Sequence, residues 1–389
     1  MASASILRDI LPSPEAAAHA GRVAAALRQA ITTAGGWIPF SQYMQIALYA
    51  PGLGYYAAGA TKFGGAGDFI TAPELSPLFA QCIATQVADV LAETGGDILE
   101  LGPGTGALAA EVLKTLDASG RLPGRYQLLD LSPDLRSRQR DRIAAEVPHL
   151  VARCEWIDAL PAAFTGVILA NEVLDAVPVH LAAWTDNGLC ERGVTATDGA
   201  FAWADRPLDD DSVRAGLAGI DVPAPYVSEV SPDAIALART LATRLMRGAA
   251  FLVDYGFGRR EYYHPQRSRG TLMCHYRHRA HDDPFFLPGL QDITAHVDFT
   301  AVAEAAVAAG AGHGGYTTQA QFLINCGIAE RLQRLHGAVS DADYARLAAG
   351  AQKLLSPAEM GELFKVAAFA RNISLPMRGF ATGDLTRLL

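Results

Sequence analysis

The stretch ILELGPGTGALAAEVLKTL, residues 98–116, decides which fold this chain is expected to adopt. Residues 98–101 are typical of the end of a short buried strand, and residues 107–116 carry apolar side chains at helical spacing. Between them lies a turn with three glycines, Gly102, Gly104 and Gly106. Glycines let a ligand approach the backbone, and the unpaired N–H groups of a helix N-terminus point towards it. The stretch therefore predicts a site for a nucleotide-type ligand.

Alternating strand and helix patterns follow this stretch. Strands are predicted at residues 126–130, 154–158, 167–170 and 249–257, and two final strands at residues 312–319 and 363–371. Helices are predicted to begin at Ser132-Pro133 and Ser231-Pro232. Such alternation favours an α/β fold with a parallel, doubly wound sheet. Short apolar alternations between Asn-Gly and Asp-Gly turns predict a β-meander within residues 180–205.

The chain is expected to contain two regions. Residues 1–95 are predicted to form a helical N-terminal region that includes a glycine-rich loop. Residues 96–389 are predicted to contain the sheet, with insertions at about 180–230, 259–290 and 320–361.

Composition narrows the class of protein. Half of the 389 residues are hydrophobic and 19% are charged, which is typical of a globular chain. The net charge of −9 argues against a global nucleic-acid-binding surface. Five cysteines without a CxxC pattern indicate reduced thiols. No apolar run reaches the length of a membrane span, and neither a secretory signal nor a transit peptide is evident, so we expect a cytoplasmic location rather than the mitochondrial matrix.

The glycine turn alone is compatible with two cofactors. Gly102-x-Gly104-x-x-Ala107 fits the dinucleotide fingerprint, which leaves an NAD-dependent enzyme open, whereas Gly102-x-Gly104-x-Gly106 after Glu100 fits S-adenosyl-L-methionine (SAM). Glu100 would repel a pyrophosphate but can meet the methionine ammonium of SAM, directly or through water. Asp130 ends the second strand, 24 positions after Gly106, where its carboxylate can accept both ribose hydroxyls. These features favour SAM.

A second candidate site, Asn171-Glu172-Val173-Leu174-Asp175, follows the fourth predicted strand. The carboxyl end of this strand lies beside that of the first, at the crevice where open α/β sheets bind ligands. Methyl transfer requires an oriented lone pair and a bound sulfonium. Glu172 and Asp175 can hold a guanidinium by charge-assisted hydrogen bonds, although either could instead cap the next helix.

Four further residues are candidate cofactor ligands. Phe69 can cover the ligand, and Asp68 or Thr71 can bind it or shape the loop before the next helix. Asp158, at the end of the third predicted strand, is the fourth candidate.

No metal site is expected. Cys274, His275, His278 and His281 lie among arginines and are interpreted as a basic exposed loop, because no CxxC or HExxH pattern supports zinc.

Several blocks resemble the MidA family. They are GYYA, GDFITAPELSPLFA, ILELGPGTGALAAEVL, LSPDLRSRQR, ILANEVLDAVPVH, LVDYGF, QDITAHVDF and TTQAQFLINCGI, and they span roughly Gly54 to Phe364. The resemblance implies a class I SAM-methyltransferase fold, a Rossmann-like seven-stranded sheet with inserted β and helical segments. It also implies that the three glycines and Asp130 bind SAM and that Asn171-Glu172 lie at the methyl-transfer position. Asp130 stands where many relatives carry Glu, so a carboxylate is kept.

The resemblance also implies an activity. Mitochondrial members of the family are protein arginine methyltransferases that act on a subunit of respiratory complex I during its assembly. We therefore expect an enzyme that methylates a protein substrate at an arginine guanidinium. A homodimer is a separate expectation, which the resemblance does not imply. The alternative of another class is a non-catalytic assembly factor that retains the SAM fold and works by binding its partner.

Overall fold

The computed structural model describes residues 12–58 and 71–389. The strands are β1 (Ile38–Pro39), β2 (Asp97–Leu101), β3 (Tyr126–Leu129), β4 (Cys154–Ile157), β5 (Phe164–Asn171), β6 (His180–Thr185), β7 (Gly188–Thr197), β8 (Ala200–Pro207), β9 (Tyr226–Val230), β10 (Leu245–Phe257), β11 (Met273–Tyr276), β12 (Arg279–His281), β13 (Asp292–Thr294), β14 (Val297–Asp298), β15 (Gly312–Thr318) and β16 (Phe364–Arg371). The helices are α1 (Pro14–Thr33), α2 (Phe40–Tyr49), α3 (Ala72–Leu75), α4 (Pro77–Thr94), α5 (Ala107–Ala118), α6 (Pro133–Glu146), α7 (Asp211–Gly216), α8 (Pro232–Arg244), α9 (Arg259–Tyr262), α10 (Phe299–Ala308), α11 (Gln319–Asn325), α12 (Ile328–Leu335) and α13 (Asp341–Leu355).

The described residues divide into two compact units. The first contains residues 12–58, Asp175–Ile235 and Arg260–His296, and the second contains residues 71–174, Ala236–Arg259 and Val297–Leu389. This division differs from the predicted boundary at residue 95, because α3 and α4 belong to the second unit. Two of the predicted insertions, at about 180–230 and 259–290, fall in the first unit, whereas the third, at 320–361, lies in the second.

A mixed sheet forms the centre of the second unit. Its strand order is β15-β16-β10-β5-β2-β3-β4, and short β14 pairs with the end of β10. The pairs β10–β5, β5–β2, β2–β3 and β3–β4 are parallel, whereas β16 is antiparallel to both of its neighbours. Chain order reverses between β2 and β5, so the carboxyl ends of these two strands lie at the kind of position where open α/β sheets bind ligands.

Helices bury their apolar faces against this sheet, as the sequence predicts. The buried residues of the two predicted helical faces are Phe79, Ile83, Val87 and Leu91 on α4 and Leu108, Val112, Leu113 and Leu116 on α5. They share one core with β2, β5 and β10, whose inward side chains include Ile98, Val167 and Phe251. Burial of these apolar side chains fixes β2 and α5 and therefore the turn between them.

The first unit is built around antiparallel strands. Its larger sheet has the order β1-β7-β6-β9, with β8 also paired to β7, and its smaller sheet has the order β12-β11-β13. Strands β6 to β8 form the predicted meander. Helices α1 and α2 contribute Val23, Leu27 and Tyr43 to its core.

The interpretation of residues 274–281 as an exposed loop is wrong. Strands β11 and β12 pair as a hairpin in which Cys274 lies opposite His281. Both side chains are buried, because they share the face of the hairpin that packs inward, whereas the residues at its tip are exposed. None of the helices in the part of the chain that the structure describes is long and apolar enough to cross a membrane.

Candidate active site

The turn from β2 to α5 combines close packing on two sides with open space in the middle. Gly102, Gly104 and Gly106 have φ angles of +59°, +53° and +84°, which L side chains rarely adopt. A Cβ on Gly102 would lie 2.9 Å from Cγ2 of Val173, and one on Gly106 would lie 3.1 Å from Cα of Gln139. A Cβ on Gly104 would meet no atom of the described residues within 4 Å. The open space beside Gly104 is therefore where a ligand can reach the backbone.

Glu100 lies near the end of β2, two residues before Gly102. Its side chain is buried, and the Tyr126 hydroxyl on β3 donates a hydrogen bond of 2.6 Å to Glu100 Oε2. Burial raises the pKa of Glu100 to about 7; the Tyr126 hydrogen bond opposes this shift and the charge of Asp130 adds to it. At neutral pH the carboxyl group is thus poised between its two protonation states, so that a nearby cation would favour the carboxylate.

Asp130, directly after β3, is fixed by two donors. The Ser132 amide donates to Oδ1 at 2.8 Å, and the Gln139 side-chain amide donates to Oδ2 at 2.7 Å. The same Gln139 Nε2 donates to the Gly104 carbonyl at 2.9 Å, while Gln139 Oε1 accepts from Trp156 Nε1 at 2.9 Å. Gln139 therefore joins the glycine turn, the carboxylate of Asp130 and β4.

The residue after β5 has an unusual backbone conformation. Glu172 has a φ of +53°, in the left-handed region, which costs a non-glycine residue roughly 1–3 kcal/mol. Its N–H donates to the Val253 carbonyl at 2.8 Å, and Asp254 Oδ2 accepts from the amides of Val173 (3.2 Å) and Leu174 (2.8 Å). The end of β10 therefore holds the turn after β5 in this strained form.

One oxygen of the Glu172 carboxylate accepts from two donors. This oxygen, Oε1, accepts from Asn171 Nδ2 at 3.0 Å and from the Ala72 amide at 3.4 Å. Asn171 Oδ1 is buried and has no hydrogen-bond partner within residues 12–58 and 71–389. Asn171 and Glu172 thus place polar atoms at the carboxyl end of β5, next to β2.

The remaining predicted site residues have different surroundings. Asp175 belongs to the first unit; the residue is 4% exposed, and its carbonyl accepts from the Ala295 amide at 3.0 Å. Asp158 is 89% exposed and forms an ion pair of 2.7 Å with Arg136. Thr71 precedes α3 without a side-chain capping bond. Asp68 and Phe69 lie outside the described residues.

Sequence reasoning missed Gln139 as a residue of this site. It lies four positions after Leu135 and four before Ile143, so it occupies the buried stripe of α6. A polar residue within an otherwise apolar stripe was the available signal, because a buried amide requires hydrogen-bond partners.

Comparison with known proteins identifies the family. Residues 82–317 match the model of a family described as S-adenosyl-L-methionine-dependent methyltransferase. The chain belongs to the MidA family of SAM-dependent methyltransferases. Two curated members resemble it over most of both chains. The protein arginine methyltransferase NDUFAF7 homologue of Drosophila melanogaster is 30% identical over 90% of this chain and 86% of its own length. The protein arginine methyltransferase NDUFAF7 of Danio rerio is 30% identical over 85% and 83%.

A solved structure of a COG1565 superfamily member shows the same architecture with a bound ligand. The Burkholderia thailandensis protein crystallised with S-adenosylhomocysteine (SAH) is 53% identical, covers 98% of this chain and 100% of its own, and superposes with a TM-score of 0.93. A native crystal structure from the same organism gives 52% identity and a TM-score of 0.91. The predictions of a class I methyltransferase fold, an enzyme and a SAM cofactor are confirmed. Of the two cofactors that the glycine pattern allowed, SAM is the one that the family uses, and the open space at Gly104 fits it.

Proposed function

We propose that this enzyme transfers the methyl group of SAM to an arginine guanidinium of a protein substrate. The observation that carries the proposal is Glu172, which is held in a strained conformation at the carboxyl end of β5. Strain that the surrounding structure maintains is frequent at functional sites. The curated relatives, named protein arginine methyltransferases, support the choice of acceptor.

We assign cofactor binding to residues at the carboxyl ends of β2 and β3. The glycine turn admits the ligand at Gly104, Glu100 receives the methionine ammonium, and Asp130 accepts the ribose hydroxyls. Thr71 and Asp158 stay candidate contacts, as do Asp68 and Phe69. When bound, SAM supplies a methyl group on a sulfonium, so that the protein has to orient the acceptor rather than activate the donor.

We assign acceptor binding to Asn171 and Glu172. A carboxylate can bind a guanidinium through two parallel charge-assisted hydrogen bonds, which fixes the plane of the group. A carboxylate beside one nitrogen also favours a lone pair on the nitrogen that attacks. The predicted role of Asp175 in the same task stays a prediction from the sequence.

The identity of the protein substrate is a further part of the proposal. The resemblance to mitochondrial MidA members makes a subunit of respiratory complex I the first acceptor to test. The cytoplasmic location and the homodimer stay predictions from the sequence.

The Glu172→Gln variant tests the proposal. An extract of a strain that lacks the gene is incubated with purified enzyme and SAM carrying a deuterated methyl group, and labelled residues are located by mass spectrometry. We expect label on arginine with wild-type enzyme and a rate lower by about 100-fold or more with the variant, since removing one electrostatic contact to a reacting group has effects of that size. SAH affinity, measured by calorimetry, should stay within about twofold.

The Glu155→Gln variant is the matched control. Glu155 lies on β4 of the same sheet, where it is partly exposed and paired with Arg125. It should leave both rate and affinity unchanged. Label on another residue type would refute the arginine acceptor, and absence of label with full SAH binding would favour the non-catalytic alternative.

A further inference from the structure

The short helix α3 contacts both Glu172 and the glycine turn. At its beginning, the Ala72 amide donates to Glu172 Oε1 at 3.4 Å. Two residues later, Glu74 is directed to the glycine turn, where its carboxylate accepts from the Thr105 hydroxyl. All of these residues belong to the second unit.

Glu74 is held by a three-residue network. Arg142 of α6 donates from Nη1 to Glu74 Oε1 at 2.7 Å and from Nη2 to Oε2 at 3.2 Å, and Nη1 also donates to Thr105 Oγ1 at 2.6 Å. The Glu74 side chain is 16% exposed. Burial acts to raise the pKa of Glu74, but the hydrogen bonds from Arg142 and Thr105 outweigh it and hold the pKa below its usual value. Glu74 is therefore a carboxylate at neutral pH.

The position of α3 depends on these contacts. A helix of four residues has no intrinsic stability, because nucleation outweighs the few hydrogen bonds it makes. Thr105 lies between Gly104 and Gly106, so an event that orders the glycine turn also orders Glu74. Because α3 has four residues, about one helical turn, it is too short to bend, and Glu74 and the Ala72 amide move together.

We infer that α3 transmits the state of the glycine turn to the methyl-transfer position, with Glu74 as the positioning residue that makes the connection. Cofactor binding orders the turn, Glu74 follows through Thr105, and the Ala72 amide then fixes the Glu172 carboxylate. The inference goes beyond the proposed function, and only its catalytic consequence rests on the proposed role of Glu172.

Hydrogen exchange measured by mass spectrometry tests this inference without any methyl acceptor. In the wild-type enzyme, saturating SAH should slow exchange of the amides of Ala72, Glu74 and Leu75 and of residues 171–174 by about fivefold or more, the lower end of usual coupling between sites. The Glu74→Gln variant should still bind SAH, and the SAH concentration is raised until the variant is saturated. In this variant, SAH should slow amide exchange at residues 171–174 by less than about twofold.

Glu146→Gln is the matched control. Glu146 also pairs with Arg142, at 3.4 Å, but it lies on α6 and has no bond to Thr105. It should retain the wild-type protection. Arg142→Lys provides a second variant, because lysine cannot bridge both Glu74 oxygens and the Thr105 hydroxyl; it should reproduce the effect of Glu74→Gln.

Two outcomes would overturn the inference. One is undiminished protection at residues 171–174 in both Glu74→Gln and Arg142→Lys, which would mean that SAH orders this turn by another route. The other is the absence of protection there in wild-type enzyme with SAH bound. Neither outcome depends on the methyl acceptor. The proposed arginine methylation can therefore be refuted while the coupling is confirmed, and the coupling can be refuted while arginine methylation is confirmed.

Discussion

Replacement of Glu100 by Gln should change the pH dependence of stability in a defined direction. The buried carboxyl has a pKa of about 7 instead of the usual 4.5. Between these values the folded state binds a proton that the unfolded state lacks, so this group makes the protein less stable as pH rises through that window. The difference in pKa corresponds to about 3 kcal/mol above pH 7, and about 2–3 kcal/mol of it develops between pH 5 and pH 8.

Glu100→Gln removes this titration and keeps an acceptor for the Tyr126 hydroxyl. The free energy of unfolding of the variant, relative to wild type, should therefore rise by about 2–3 kcal/mol from pH 5 to pH 8. Urea unfolding at several pH values measures it. The test is the pH slope rather than the offset, because the amide's second hydrogen-bonding group adds a constant penalty.

The same substitution should alter cofactor affinity. If the methionine ammonium meets the Glu100 carboxylate, SAH must displace a proton below pH 7, so its dissociation constant should rise about tenfold from pH 8 to pH 6 in the wild type. In Glu100→Gln the affinity should be weaker and should vary little with pH. Calorimetry measures both.

Two results would refute this reasoning. Parallel pH slopes of stability for wild type and Glu100→Gln would contradict a raised pKa at Glu100. A dissociation constant of SAH that does not change between pH 6 and pH 8 would contradict the ammonium contact. Glu155→Gln, which removes a partly exposed carboxylate from the same sheet, serves as the control for both measurements.

Two further substitutions test the cofactor site. Gly104→Ala should weaken SAH binding by about tenfold or more, because the added Cβ enters the open space beside the turn. Gly120→Ala is the control: Gly120 has a φ of +65° and also no atom of the described chain within 4 Å, so the variant should show the same backbone cost of roughly 1–2 kcal/mol with unchanged SAH affinity. Equal affinities of the two variants in calorimetry would refute a ligand at Gly104. Gln139→Leu should lower the free energy of unfolding by about 1–3 kcal/mol and weaken SAH binding, because Asp130 and Trp156 lose a partner; unchanged binding in the folded variant would show that Gln139 does not position Asp130.

Local sequence patterns predicted the elements that carry the proposed cofactor site. The glycine turn, the carboxylate after β3 and the strand before Asn171 are each contained within a few consecutive residues, and burial periodicity defines them. Parallel pairing then follows from the alternation of strands with helices. These features required no knowledge of contacts distant in sequence.

Contacts between distant residues were not predictable in the same way. Glu74 and Arg142 are 68 positions apart and Gln139 and Gly104 are 35 apart, and nothing in either local pattern shows that they meet. The strained backbone of Glu172 also escaped prediction, because glutamate has no preference for the left-handed region and β10 imposes it. Local patterns also do not show which distant segments form one unit, and three separate segments form the first unit.

The left-handed conformation of Glu172 has a consequence for how this sequence can vary. Glycine or asparagine at this position would relieve the backbone cost. Selection for thermal stability alone would therefore replace Glu172 with one of these residues. A glutamate at this position is retained only while its side chain contributes to a function that the more stable variant would lack. In a collection of stabilised variants, residue 172 would therefore report whether the proposed role of its carboxylate in methyl transfer had been under selection.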